Sequence, residues 1–156
     1  MPVVDQIRTI LVAVDESQPS VWALTQAVQL AQQLNARITL VHVVFSPSAS
    51  SSESALAEAL GGPGLEARGV KVLSQAAEHV PAELLAGSVL REGDAAEEIL
   101  QAADDAGADL IVMGTHGRGA IARALLGSTA EAVVRHAYCP VLTVAQQTRI
   151  RQRELN

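Results

Sequence analysis

The sequence predicts an α/β protein built on a single doubly wound parallel five-stranded sheet with helices on both faces. Three observations lead there. Five short runs rich in leucine and β-branched residues alternate with segments of helical spacing. Three of these runs are apolar almost without interruption, as suits strands covered on both sides. Only Trp22, Phe45 and Tyr138 are aromatic in a chain that is 49% hydrophobic. The core must therefore come from Val, Leu, Ile and Ala, the usual material of a parallel sheet under alanine-rich helices.

The elements follow in order. Strands are predicted over residues 9–14, 38–44, 88–91, 109–113 and 141–144. The first helix, over 19–34, carries Leu24, Ala27, Val28 and Ala31 at spacings of three and four, one apolar stripe, with Pro19 suited to its first turn. A second helix is predicted over 65–79. A third, over 95–106, opens on Asp94 with Glu97 three residues later, a capping box, and stops at Gly107. The fourth runs over 120–136, with Gly127 interrupting its pattern. Strand–helix alternation implies right-handed crossovers. The serine run at 48–54, one helical turn over 55–60 and the turn cluster 61–64 read as a long solvated connection. No internal repeat is present.

A length of 156 residues suits one domain, here 1–146, followed by a polar tail, 147–156. A net charge of −6 argues against a nucleic-acid-binding role, which needs a basic face. Residues 1–8 lack the basic start and apolar run of a signal peptide, and no apolar stretch approaches the roughly 20 residues that span a bilayer. The expected location is the cytoplasm, with no membrane partner. Cys139 stands alone, without a second thiol for a disulfide or metal site, and reads as a small buried hydrophobe beside Pro140.

The chemistry concentrates after the fourth strand, in Gly114-Thr115-His116-Gly117-Arg118-Gly119. Three glycines between a buried strand and a helix start let backbone amides surround an anion, and the helix dipole favours negative charge there. Gly127-Ser128-Thr129 then adds a residue without a side chain and two hydroxyls able to donate to phosphate oxygens. Arg118 is the cationic candidate for phosphate. Two common nucleotide motifs fail: Ala120-Ile121 stand where a Walker A loop needs Lys-Ser/Thr, and no acidic residue ends the strand after Gly117-x-Gly119-x-x-Ala122, as an NAD site requires.

What fits is Gly114-x2-Gly117-x9-Gly127-Ser128, and with it the chain resembles the universal stress protein family in its ATP-binding branch. The likeness extends from Ile10-Leu-Val-Ala-Val-Asp15 through Leu40-Val-His42-Val43 to Pro140-Val-Leu-Thr-Val144. It implies an adenine nucleotide alpha hydrolase-like sheet in the order 3-2-1-4-5, which sets the ends of strands one and four side by side at the topological switch point, where open α/β sheets bind ligands. It also implies an adenine nucleotide there, ATP or else ADP or AMP, with Mg²⁺ or Mn²⁺ held mostly by phosphate and water. Ala13, Val14 and Asp15 would lie by the nucleotide, Asp15 near the ribose or a metal-bound phosphate. Val43 would lie against adenine and Met113 against the nucleoside. Gly114 and Gly117 would admit the phosphate chain, with Gly127, Ser128 and Thr129 on phosphate oxygens.

Each residue also has a plainer reading. Asp15 would serve as an N-cap, but its place at the crevice favours a ligand role. His42, in an apolar strand, reads as a core histidine with its hydrogen bonds met. His116, in the glycine loop, is a weaker candidate for phosphate than Arg118 and has no neighbouring carboxylate to orient it for catalysis, and Asp104-Asp105 read as surface charges. The expected function is a nucleotide-dependent regulatory or stress-response module. A slow ATP hydrolase and a ligand-free dimeric scaffold are the alternatives. The last strand, 140–144, carries no charge and lies at a sheet edge in the resembling family, so it predicts a homodimer paired through that edge.

Overall fold

A computed structural model describes residues 6–45, 64–116 and 126–145. The strands are Thr9–Ala13 (β1), Arg37–Val44 (β2), Leu85–Glu92 (β3), Leu110–Gly114 (β4) and Val141–Val144 (β5). The described helices are Gln18–Leu34 (α1), Leu65–Glu78 (α2), Ala95–Ala106 (α3) and Ser128–His136 (α4). All neighbouring strands pair in parallel, in the order β3-β2-β1-β4-β5. β1 is central, with Val12 opposite Leu40 on one side and Val112 on the other.

Alternation along the strands divides the core in two. Ile10, Val12, Ile38, Leu40 and Val112 face one side, where Ala23, Leu24, Ala27 and Ala31 of α1 and Val72 and Leu73 of α2 pack on them. Leu11, Val41, Ile111 and Met113 face the other, beneath Ile99, Ala102 and Ala103 of α3 and Ala130 and Val133 of α4. Each fully buried Leu, Ile or Val contributes about 1.5–3 kcal/mol through removal from water. Small alanines let the helices come close to a sheet made of branched residues. Gly69 of α2 shows how close: a Cβ there would sit 2.5 Å from Leu90 Cδ1.

The helix ends follow local chemistry. Ser17 caps α1, its hydroxyl accepting from Ser20 N, and Pro19 lies in the first turn as expected. Asn35 ends α1 in the left-handed region, a stop the sequence reading did not include. Asp94 caps α3 by accepting from Glu97 N at 3.0 Å, and among the described residues only this half of the capping box forms. Gly107 ends α3 at φ 60°, the positive angle that calls for glycine.

Two expectations need correction. β3 is eight residues long rather than four, because pairing with β2 extends it through Leu85 and Gly87, which lack strand-forming side chains. The fourth helix does not run unbroken over 120–136. Gly127 is its N-cap, extended at φ −69° and ψ 160°, and its amide donates to Thr115 O at 2.6 Å, which takes the chain out of helical geometry. The expected helical residues 120–125, the connection at 46–63 and the tail from 146 onward lie outside the described residues.

Candidate functional site

The switch point holds a cleft of about 310 Å³, at the small end of the range for ligand sites. Its walls come from the carboxyl ends of the central strands: Ala13 to Asp15 after β1, Val41 to Val43 on β2, and Met113 to His116 after β4. Two helix starts complete it, Ser17 and Ser20 from α1 and Gly127 to Ala130 from α4, with Ala95 and Ile99 of α3 closing one side. The crevice opens where chain direction across the sheet reverses, since β1 leads to β2 and β3 on one side while β4 and β5 lie on the other.

Backbone bonds fix the rim. Val14 N donates to Val41 O at 2.9 Å, joining β1 to β2 beyond the end of the first strand. Thr115 N donates to Val144 O and Thr115 O accepts from Gly127 N, so β5 and α4 are both tied to the segment after β4. Asp15 N donates to Ser20 Oγ at 2.9 Å, and Asp15 Oδ1 accepts from Ser17 N at 2.7 Å. Asp15 thus supports the turn before α1 without capping it, and Ser17 is the cap. One carboxylate oxygen of Asp15 is spent locally; the second gives a lone acceptor site beside the cleft.

Also on the cleft, α4 begins without a side-chain cap. Its first internal backbone bond runs from Glu131 N to Gly127 O. Among the described residues, no acceptor takes the amides of Ser128, Thr129 and Ala130, three of the four orphan donors every helix start leaves. Three aligned N–H groups and the positive end of the helix dipole suit an anion. Val41, Val43, Ile99 and Met113 give the same cleft an apolar part, packed in one cluster with Ala130 of α4. A flat, weakly polar group belongs there.

The glycines earn their places differently. A Cβ on Gly114 would lie 2.8 Å from Pro19 Cβ and 2.9 Å from the Pro19 carbonyl carbon, so this glycine lets the start of α1 touch the end of β4. A Cβ on Gly127 would lie 2.8 Å from Thr115 O and 3.5 Å from His116 Nδ1. Of the residues read from sequence, Ala13, Val14, Asp15, Val43, Met113, Gly114, Gly127, Ser128 and Thr129 all line the one cleft. Gly117 and Arg118 lie outside the described residues. His42 does what a core histidine does, its Nδ1 donating to Val14 O at 2.7 Å, which puts the proton of a neutral ring on Nδ1. Its residue nevertheless lines the cleft.

Sequence reasoning passed over Ser17, Ser20, Thr115 and the α3 residues Ala95 and Ile99 as cleft residues. Ser17 and Ser20 carried a signal, two hydroxyls within five residues of Asp15, but one that reads as ordinary capping. The α3 residues carried none, because only tertiary packing brings that helix to the rim. Among the described residues no group of His, Cys, Asp and Glu is arranged to hold a metal ion, and no described helix is long and apolar enough to cross a membrane.

A five-stranded all-parallel sheet in this order, with helices on both faces and a crevice at its switch point, defines a doubly wound α/β domain. The chain belongs to the universal stress protein family, whose family model matches residues 6–145. A universal stress protein of Methanocaldococcus jannaschii is 36% identical over 142 residues, covering 88% of this chain and 81% of that protein. The crystal structure of a family member from Burkholderia pseudomallei matches with a TM-score of 0.67 at 36% identity, covering 90% of this chain and 97% of that one. The crystal structure of a universal stress protein in complex with cAMP matches with a TM-score of 0.65 at 25% identity, covering 90% of this chain and 98% of that one.

Proposed function

We propose that this chain is an ATP-binding universal stress protein, a regulatory module whose interactions depend on the adenine nucleotide in the switch-point cleft. The observation that carries the reading is the uncapped start of α4: Ser128, Thr129 and Ala130, whose amides have no acceptor among the described residues, line a cleft that Val41, Val43, Ile99 and Met113 line as well. A nucleotide offers both kinds of surface, an anionic phosphate and an apolar-faced base. Phosphate oxygens accept from the α4 amides and the hydroxyls of Ser128 and Thr129. Adenine packs on Val41, Val43 and Met113, with the Val43 backbone available for its hydrogen bonds. The ribose hydroxyls meet the second oxygen of Asp15. A family member of the same fold whose structure holds cAMP supports the adenine class.

The nucleotide is ATP, or ADP or AMP in the same position. Among the described residues, Asp15 is the one carboxylate lining the cleft, and no metal-binding cluster stands beside it. Mg²⁺ or Mn²⁺ accompanying the nucleotide would be held by phosphate and water. Gly117 and Arg118 belong to the proposed phosphate contacts, and two chains pair through β5 with the clefts outside the interface. The test is mass spectrometry of small molecules released when the purified protein is denatured. Stoichiometric adenine nucleotide supports the reading. Protein that releases none and binds neither ATP, ADP nor AMP in calorimetry with Mg²⁺ present refutes it.

A further inference from the structure

The segment leaving β4 holds two buried polar atoms that nothing among the described residues satisfies. Thr115 is 5% exposed, and its Oγ1 is buried without a hydrogen-bond partner; His116 Nδ1 next to it is in the same state. These are the two buried side-chain atoms left unsatisfied among the described residues, and they fall on adjacent residues of the same cleft. Buried polar atoms of native proteins are nearly always paired, so two orphans side by side call for a partner.

Their surroundings say what kind. The backbone of Thr115 is fully engaged, N–H to Val144 O and C=O from Gly127 N, so the residue is held in place while its hydroxyl stays unused. His116 O accepts from Ser17 Oγ at 3.4 Å, tying this residue to the start of α1. His116 Nδ1 lies 3.5 Å from the point where a Cβ of Gly127 would be, at the mouth of α4 and at the same end as its three free amides. We infer that Thr115 Oγ1 and His116 Nδ1 are ligand contacts at the phosphate end of the cleft, and that protonation of the His116 imidazole tightens the binding of an anionic nucleotide. This rests on the adenine-nucleotide reading of the same cleft.

The charges around that imidazole set the sign. From the connection after β1, Asp15 favours a cation on the ring. From β2, His42 opposes it when itself protonated, and the positive end of α4 opposes it as well. Glu131 in the first turn of α4 is exposed and screened. Bound phosphate changes the balance, because its negative charge meets the ring at hydrogen-bond range. Proton uptake and anion binding therefore favour each other, and affinity rises as pH falls.

The probe is cAMP, whose phosphodiester keeps one negative charge across that range, so any pH dependence belongs to the protein. Calorimetry on the full chain is expected to give binding about tenfold tighter at pH 5.5 than at pH 8.5, the order expected of one charge-assisted hydrogen bond, with net proton uptake when titrations at pH 7 in two buffers are compared. His116→Gln should remove the pH dependence and hold affinity near the weaker limit. Thr115→Val, which keeps the shape and deletes the hydroxyl, should weaken binding about fivefold at both pH values while the ligand-free protein melts no lower than wild type. Binding that is unchanged in both variants, pH dependence that survives His116→Gln, or a ligand-free Thr115→Val protein that melts several degrees lower would each overturn the inference while leaving nucleotide binding intact. Wild-type protein that binds no adenine nucleotide would end both together. The buffer comparison uses wild-type protein alone, so an absence of proton uptake there overturns the inference even if a variant does not fold.

Discussion

Replacing Gly114 by alanine tests whether the close approach of α1 to β4 shapes the cleft. The added methyl would sit 2.8 Å from Pro19 Cβ, 2.9 Å from the Pro19 carbonyl carbon and 3.1 Å from Ser20 N. Two of these three neighbours are backbone, so no rotamer change relieves the contact. Nor is α1 free to retreat, since Ser20 Oγ holds Asp15 N and Ser17 caps the helix. Overpacking of this kind costs about 1–3 kcal/mol. For a chain of this size, about 2 kcal/mol corresponds to a fall in Tm of roughly 4–8 °C. Urea unfolding supplies the free energy, with Gly87→Ala as control: a Cβ there meets nothing within 4 Å, and stability should stay within about 0.5 kcal/mol of wild type. Because the shift moves Ser17 and Asp15, nucleotide affinity should fall in the Gly114 variant as well. A Gly114→Ala protein as stable as the Gly87→Ala protein would refute the packing argument.

Burial first, and then the negative charges of Asp109 and Asp104, push the Cys139 thiol above its ordinary value. The thiolate is therefore scarcer than in a free cysteine at pH 8, and a disulfide reagent should react more slowly with folded than with unfolded protein, the gap closing as pH rises. The same raised value stabilises the fold below the ordinary thiol range, and that contribution is lost as pH climbs through the folded value; reactivity equal in both states at pH 8 would contradict this. ATP turnover should lie far below the roughly 1 to 1,000 per second of ordinary enzymes, because Ala120-Ile121 stand where a Walker A loop carries its lysine and hydroxyl; phosphate release in that range would favour the hydrolase alternative. Leu142 of β5 packs against the core, so Thr143→Lys is the change that should weaken the proposed edge-paired dimer. Light scattering that finds wild-type protein monomeric at tens of micromolar, or a variant dimer as strong as wild type, would rule the pairing out.

Much of the fold was legible because the buried strands announce themselves. β1 and β4 are almost unbroken apolar runs, and β2 is mostly Ile, Leu and Val around Thr39 and His42, as suits strands covered on both faces. β3 was read short because Leu85, Ala86 and Gly87 carry no strand signal of their own; register with β2 decides them. At the site, the spacing of Gly114, Gly127 and Ser128 pointed to one cleft, and the structure brings those three residues there. The reason for Gly114 was hidden, since Pro19 lies 95 positions earlier in the chain and only the pairing of β1 with β4 makes them neighbours. Gly127 read as a flaw inside a helix and is in fact its first boundary. Thr115 escaped notice for a physical reason too: an unsatisfied hydroxyl is a property of three-dimensional surroundings, and a sequence shows only that the hydroxyl exists.

The central claim is that an adenine nucleotide sets its phosphate on the open start of α4. An amide-resolved NMR titration with AMP tests this most directly, because it reports the donors themselves. The amides of Ser128, Thr129 and Ala130 should move first and furthest, followed by those of Val43 and Asp15, while Arg8 and Asn35 at the opposite end of the sheet stay still. Shifts confined to other surfaces, or a spectrum unchanged at millimolar AMP, would contradict the account.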